Sequence, residues 1–186
     1  MHLLLREPEP SYPRKTLLIQ GSSDISLQNI DGLPTQVLTP ESHCEEVPTD
    51  SHANHVVKAE SLVIRSPDWA RTKAAFESLG IKELKARTDI YPGLRLSFFG
   101  AGAPDNRLIL ELVAPEEPSV DAADIPAKLW GVTWQVEDDL SAARRAVSHP
   151  AFLTESRAAV QQGRMIATLK NIKDTRLAMA FISPKN

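Results

Sequence analysis

The chain has 186 residues, with 24 Asp and Glu against 21 Lys and Arg, and a formal net charge of −3 with both signs interspersed. That balance leaves no basic footprint for nucleic acid, and no apolar run approaches the ~20 residues that a membrane span needs. The single cysteine, Cys44, excludes an internal disulfide framework, and a soluble cytoplasmic protein is the expectation.

Residues 1–55 read as a largely irregular extension. Prolines at positions 8, 10, 13, 34, 40 and 48 break any long helix and leave room for short strands at 16–20 and 25–30. His43, Cys44, Glu45 and Glu46, followed by His52 and His55, have the residue types of a zinc site. Their spacing matches no zinc pattern, so they are read as solvated loop residues.

From residue 56 the patterns sharpen. A strand over 60–65 is followed by Ser66-Pro67-Asp68, which has the form of a helix start, with Ser66 as N-cap and Pro67 at the first helical position. Trp69, Thr72, Phe76 and Leu79 form a stripe at helical spacing, and Gly80 stops the helix. Strands are predicted at 81–90, 94–99 and 107–113, and residues 114–127 form a linker rich in Pro, Ala and acidic residues. A second strand–helix–strand series follows. It has a strand at 129–136, a helix capped by Asp138 or Asp139 and carrying Leu140, Ala143 and Val147, and strands at 152–158, 164–169 and 176–182.

The two series are copies. DNRLILELVAP at 105–115 matches DTRLAMAFISP at 174–184, which sets Arg107 on Arg176, Glu111 against Ala180 and, carried upstream, Arg95 on Arg164. Each copy is a βαβββ unit, about 56–115 and 128–184, in an α+β fold. Neither copy can cover both faces of its own sheet alone, so the two are expected to share a core under a pseudo-twofold.

Two consecutive βαβββ units, with SLVIRSPD, RLILELVAP, LWGVTWQVEDDL and GRMIATL in this order, resemble the vicinal oxygen chelate superfamily. That superfamily includes glyoxalase I, bleomycin-resistance proteins and extradiol dioxygenases. The resemblance implies that each unit curls its sheet into half of a barrel, with a cavity between the halves, and that a homodimer is one available assembly. It also implies a divalent metal held by His or Gln, Glu, His and Glu on the first and last strands of each unit. Here those positions fall on Ser61, Glu111, Gly131 and Ala180, and only Glu111 is an ordinary ligand. His149 is the one histidine after residue 55, and it falls at a helix end. No cofactor is therefore expected; a metal held through Glu111 is the alternative.

Strand alternation sets Ile109 and Val113 on the face of Glu111, Val63 and Arg65 on that of Ser61, and Thr133 and Gln135 on that of Gly131. The polar residues of the third strands place Arg95, Ser97 and Phe99, and likewise Arg164, Ile166 and Thr168, on the cavity side. The candidate ligand-binding set is Ser61, Arg65, Arg95, Phe99, Glu111, Thr133, Gln135, Arg164 and Thr168, with Glu111 as the candidate catalytic residue. Up to three inward arginines against one acid point to a small, partly apolar anion held by Arg95 and Arg164, with Glu111 pairing to Arg95 and orienting it. A metal-free small-molecule binder is the leading reading. A metal-dependent lyase, isomerase or dioxygenase of the glyoxalase I type is the alternative, and a scaffold with a filled cavity is the third class.

Overall fold

The computed structural model describes residues 17–20, 29–38, 55–101, 107–118, 120–146, 152–170 and 177–185. The chain forms two compact units: Met1–Val47 with Ile64–Leu129, and Pro48–Val63 with Trp130–Asn186.

Unit 1 opens with β1 (Leu17–Gln20), β2 (Asn29–Ile30) and β3 (Leu33–Leu38), a three-stranded sheet in the order β1-β3-β2. The β2–β3 hairpin turns on Asp31-Gly32, both at positive φ (48° and 82°), as a tight two-residue turn with this dipeptide requires. The sequence reading has no strand at 33–38, although Asp-Gly between apolar residues is a strong hairpin signal. Residues 25–28 and the Cys44 cluster, except for His55, lie outside the described residues. His55 Nδ1 lies 3.4 Å from the Glu137 carboxylate.

The hairpin is fastened to α1 (Trp69–Ser78). The Asp31 carboxylate accepts from Arg71 Nε and from Thr72 Oγ1. The rest of the Arg71 guanidinium donates to the carbonyls of Ala122 (2.7 Å), Ala123 (3.2 Å) and Ile125 (2.7 Å). One arginine thereby joins the extension, the helix and the linker, using the fixed fork of donors that lysine lacks. The N-cap of α1 is Asp68, whose side chain accepts from Arg71 N at 3.1 Å. The expected cap, Ser66 with Pro67 as the first helical residue, is thus corrected by two residues, and Ser66 Oγ instead accepts from Asp68 N at 3.0 Å. Gly80, at φ 74°, ends the helix as expected.

The remaining strands are β4 (Val56–Arg65), β5 (Lys82–Arg87), β6 (Leu94–Ala101), β7 (Leu108–Pro115), β8 (Lys128–Val136), β9 (Arg157–Ala158), β10 (Met165–Leu169) and β11 (Ala178–Ile182), with α2 (Leu140–Ala146) between β8 and β9. Strand order is β5-β6-β7-β4 in unit 1 and β4-β8-β11-β10-β9 in unit 2; the division between the units falls inside β4. The repeat is thus realised: β7 lies between β6 and the first strand of its copy, and β11 between β10 and β8. Strand β9 is shorter than the expected 152–158, and Leu153 contributes an isolated bridge to Leu169.

In unit 1 α1 packs Phe76 edge-on against Phe99, ring centroids 5.1 Å apart, over Leu110 and Leu112; all four are fully buried. In unit 2 Leu140 and Ala143 of α2 pack with Val136, Leu153, Ala167 and Phe181, while Trp134 is only half-buried beside them. No helix among the described residues is long and apolar enough to cross a membrane.

Phe76→Ala should cost about 3–5 kcal/mol, and Trp134→Ala clearly less because its ring is partly exposed; chemical denaturation of each variant checks the order. Asp31→Ala leaves Arg71 without its charged acceptor and should cost about 1–3 kcal/mol, read in the same assay.

Candidate functional site

The register of β6 on β7 decides what each side of unit 1 offers. Phe98 pairs with Glu111, Leu96 with Val113 and Gly100 with Ile109, whereas Arg95 pairs with Ala114, Ser97 with Leu112 and Phe99 with Leu110. Directly opposed residues in an antiparallel pair share a face. Arg95, Ser97 and Phe99 therefore lie on the α1 side with the leucines, and the expectation that they join Glu111 is corrected. The polar members are accommodated by Trp69. Its Nε1 donates to Ser97 Oγ at 2.8 Å, and the Arg95 guanidinium carbon lies 3.4 Å from the ring centroid, a cation–π stack. Glu111 and Arg95 are not partners.

The other face of β7 carries Arg107, Ile109, Glu111 and Val113, with Leu96 and Phe98 beside them on β6. Glu111 is largely but not completely buried, and this desolvation raises its pKa from the ordinary 4.5 to about 7. It makes no ion pair or side-chain hydrogen bond to another described residue. Arg107, absent from the expected set, lies across Gly100. A Cβ at Gly100 would fall 2.6 Å from Arg107 Cδ, 3.0 Å from its Nε and 2.9 Å from Leu84 Cδ1. Because Gly100 opposes Ile109, the guanidinium arm lies on the Glu111 face. Its Nε is buried and has no hydrogen-bond partner among the described residues.

In unit 2, Thr133 and Thr168 flank Ala180, while Gln135 and Ile166 flank Ile182, so the expected Gly131 face is formed. Arg164 belongs to it, but each of its three nitrogens is engaged: Nε donates to Ser183 O at 2.6 Å, Nη2 to Gln135 Oε1 at 3.2 Å, and Nη1 to the Glu60 carboxylate. A buried arginine neutralised by a carboxylate is a structural tie, so the expected free anion holder is corrected as well. Glu60 was missed because its partner is 104 residues away and nothing local signals the pairing. Ser61 is buried with no hydrogen-bond partner for Oγ among the described residues, and Arg65 ends β4 exposed.

The four positions that the superfamily uses for metal do not form a donor set. Gly131 and Ala180 have no ligand atom, and a Cβ at Gly131 would sit 2.8 Å from Ala178 O, a backbone contact that side-chain rotation cannot relieve. Serine and one carboxylate fall short of the three good ligands that a site of this kind needs. Among the described residues no cluster of three or more His, Cys, Asp or Glu could hold a metal ion.

The chain has the fold of the vicinal oxygen chelate superfamily. Structures similar to it include a variant methylmalonyl-CoA epimerase from Streptomyces coelicolor in complex with 2-nitronate-propionyl-CoA, at 11% identity over 70% of this chain and 99% of that one, with a TM-score of 0.55. The methylmalonyl-CoA epimerase of Mycobacterium tuberculosis matches at 16% identity over 73% and 97% of the two chains, TM-score 0.53. A hypothetical protein from Bacillus halodurans matches at 16% identity over 69% and 95%, TM-score 0.52. No family model and no curated protein matches the chain.

A carboxyl whose folded pKa is raised contributes most to stability below its unfolded value of 4.5 and loses that contribution as pH rises through about 7. The loss is about 3 kcal/mol at its upper limit. Glu111→Gln should therefore gain stability relative to the parent between about pH 5 and about pH 8, by up to that amount. Urea denaturation across this range measures it; parallel pH profiles for the two proteins would refute the shift.

Proposed function

We propose that the protein binds a small, partly apolar, anionic molecule on the Glu111 face of unit 1, without the superfamily's metal. The observation that carries the reading is Glu111 itself, a largely buried carboxyl with no ion pair or side-chain hydrogen bond to another described residue, whose pKa desolvation raises to about 7. Structural carboxylates at such depth are normally paired, so an unpaired one is costly to folding and is accounted for by a ligand that completes its hydrogen bonding. Ile109, Val113 and Phe98 around it offer the apolar wall of a small-molecule site. An anion is favoured because the carboxyl is half neutral near pH 7 and shares its face with an arginine.

The same pKa supports a second reading, an enzyme that moves a proton through Glu111, since general acid–base groups work best near the ambient pH. The similarity to methylmalonyl-CoA epimerases agrees with it at the level of fold, which alone does not transfer activity.

Ligand-observed NMR with a panel of short acids and their neutral esters tests the binding reading, beside elemental analysis of the purified protein. Hits that Glu111→Gln weakens, whose affinity changes through about pH 7, are expected with no stoichiometric metal. Hits indifferent to Glu111, or one equivalent of bound metal, would overturn it. Deuterium incorporation into a methylmalonyl thioester in heavy water, abolished by Glu111→Gln, would establish the enzyme.

A further inference from the structure

We infer that Arg107 is the anion anchor of this site, so that Arg107 and Glu111 together select a short acid bearing a second polar group. The inference rests on the proposed binding at Glu111 and adds the ligand's chemical class and a second recognition residue.

Three observations converge on Arg107. Its Nε is buried with no hydrogen-bond partner among the described residues, and a buried donor left without an acceptor is costly. Its side chain runs across Gly100, where any larger residue would meet Cδ at 2.6 Å, so the sequence leaves the strand surface bare along the arm. It emerges on the same face of β7 as Glu111, which likewise has no partner among the described residues. The other expected arginines are placed elsewhere: Arg95, whose Nε is likewise buried without a hydrogen-bond partner among the described residues, stacks on the Trp69 ring on the opposite face of the sheet, and Arg164 is tied to Glu60, Gln135 and Ser183.

Geometry sets the ligand's length. The arm lies over the Gly100–Ile109 pair, and Glu111 belongs to the next pair on that face, with Phe98. Same-face neighbours two residues apart are separated by about 7 Å along a strand. A ligand bridging the two groups has its carboxylate on Arg107 and, a few bonds away, a carbonyl or hydroxyl at Glu111, with Ile109 against the carbons between. A protonated Glu111 donates to a carbonyl, and an ionised one accepts from a hydroxyl. Short oxo and hydroxy acids fit this description; dicarboxylates fit it less well, because their second charge would meet Glu111.

Levulinate, its methyl ester and valerate are suitable probes, titrated by ligand-observed NMR. Wild type should bind levulinate at least about tenfold more tightly than the ester or valerate, with a preference over the ester that weakens as salt rises. Arg107→Met should bring levulinate to the level of the ester and leave the ester unchanged, while Glu111→Gln should weaken both. Gly100→Ala keeps the charge but displaces the arm, and should reproduce the Arg107→Met result. Thermal melting separates recognition from folding: an unpartnered arginine can be replaced without lowering the melting temperature, whereas a structural one cannot. Ketone binding that depends on Glu111 but ignores Arg107 would overturn the anchor and leave the binding reading intact. Absence of Glu111-dependent binding by all three probes would overturn both.

Discussion

Pairing of β6 on β7 is the constraint from which the rest of unit 1 follows. Strand side chains alternate, so one register assigns every residue of both strands to a face, and a slip of one residue would reverse the whole set. The register is held from both sides. Leu108, Leu110 and Leu112 are buried on the α1 side, where Phe99 meets Phe76, and the alternating burial along β7 leaves no competing arrangement. Glu111 is placed on the other face by the leucines on either side of it, with its own polarity playing no part. The desolvation that raises its pKa is therefore a consequence of core packing.

Much of the fold was legible because it was written twice. The described parts of the two copies, β7 and β11, occupy matching places in strand order, and the leucines at every second position of RLILELVA appear directly as the buried positions of β7. Third-strand facing was not legible. In LRLSFFG the polar residues Arg95 and Ser97 suggested a wet face, yet Trp69 from α1 brings an indole N–H for one and a ring for the other. Polarity marks the solvent or ligand side of a strand only when nothing across the core can satisfy it. Arg107 shows the converse: it stood at a strand end beside a glycine-rich turn and gave no hint that it lies across the sheet.

Long-range polar ties were equally hidden. Glu60 with Arg164, and Asp31 with Arg71 and Thr72, join positions that share no local pattern. The second tie changes the meaning of the N-terminal segment. Composition marked it as an appendage, but through the Asp31-Gly32 turn it contributes a buried carboxylate to the first turn of α1, and Ile30 and Leu33 on either side are buried. Low apolar content does not exclude a structural role when a single well-placed charge does the fastening.

The spacing of β8 and β11 has a further consequence. At Gly131 the neighbouring backbone oxygen occupies the room that a first side-chain carbon would need. A histidine introduced there would have to push two strands apart before it could reach inward, and the sheet's own hydrogen bonds oppose that movement. The obstacle to a ligand at this position therefore lies in the backbone as well as in the choice of side chain. A designer seeking a ligand side chain at Gly131 would have to begin with strand separation and add the side chain afterwards.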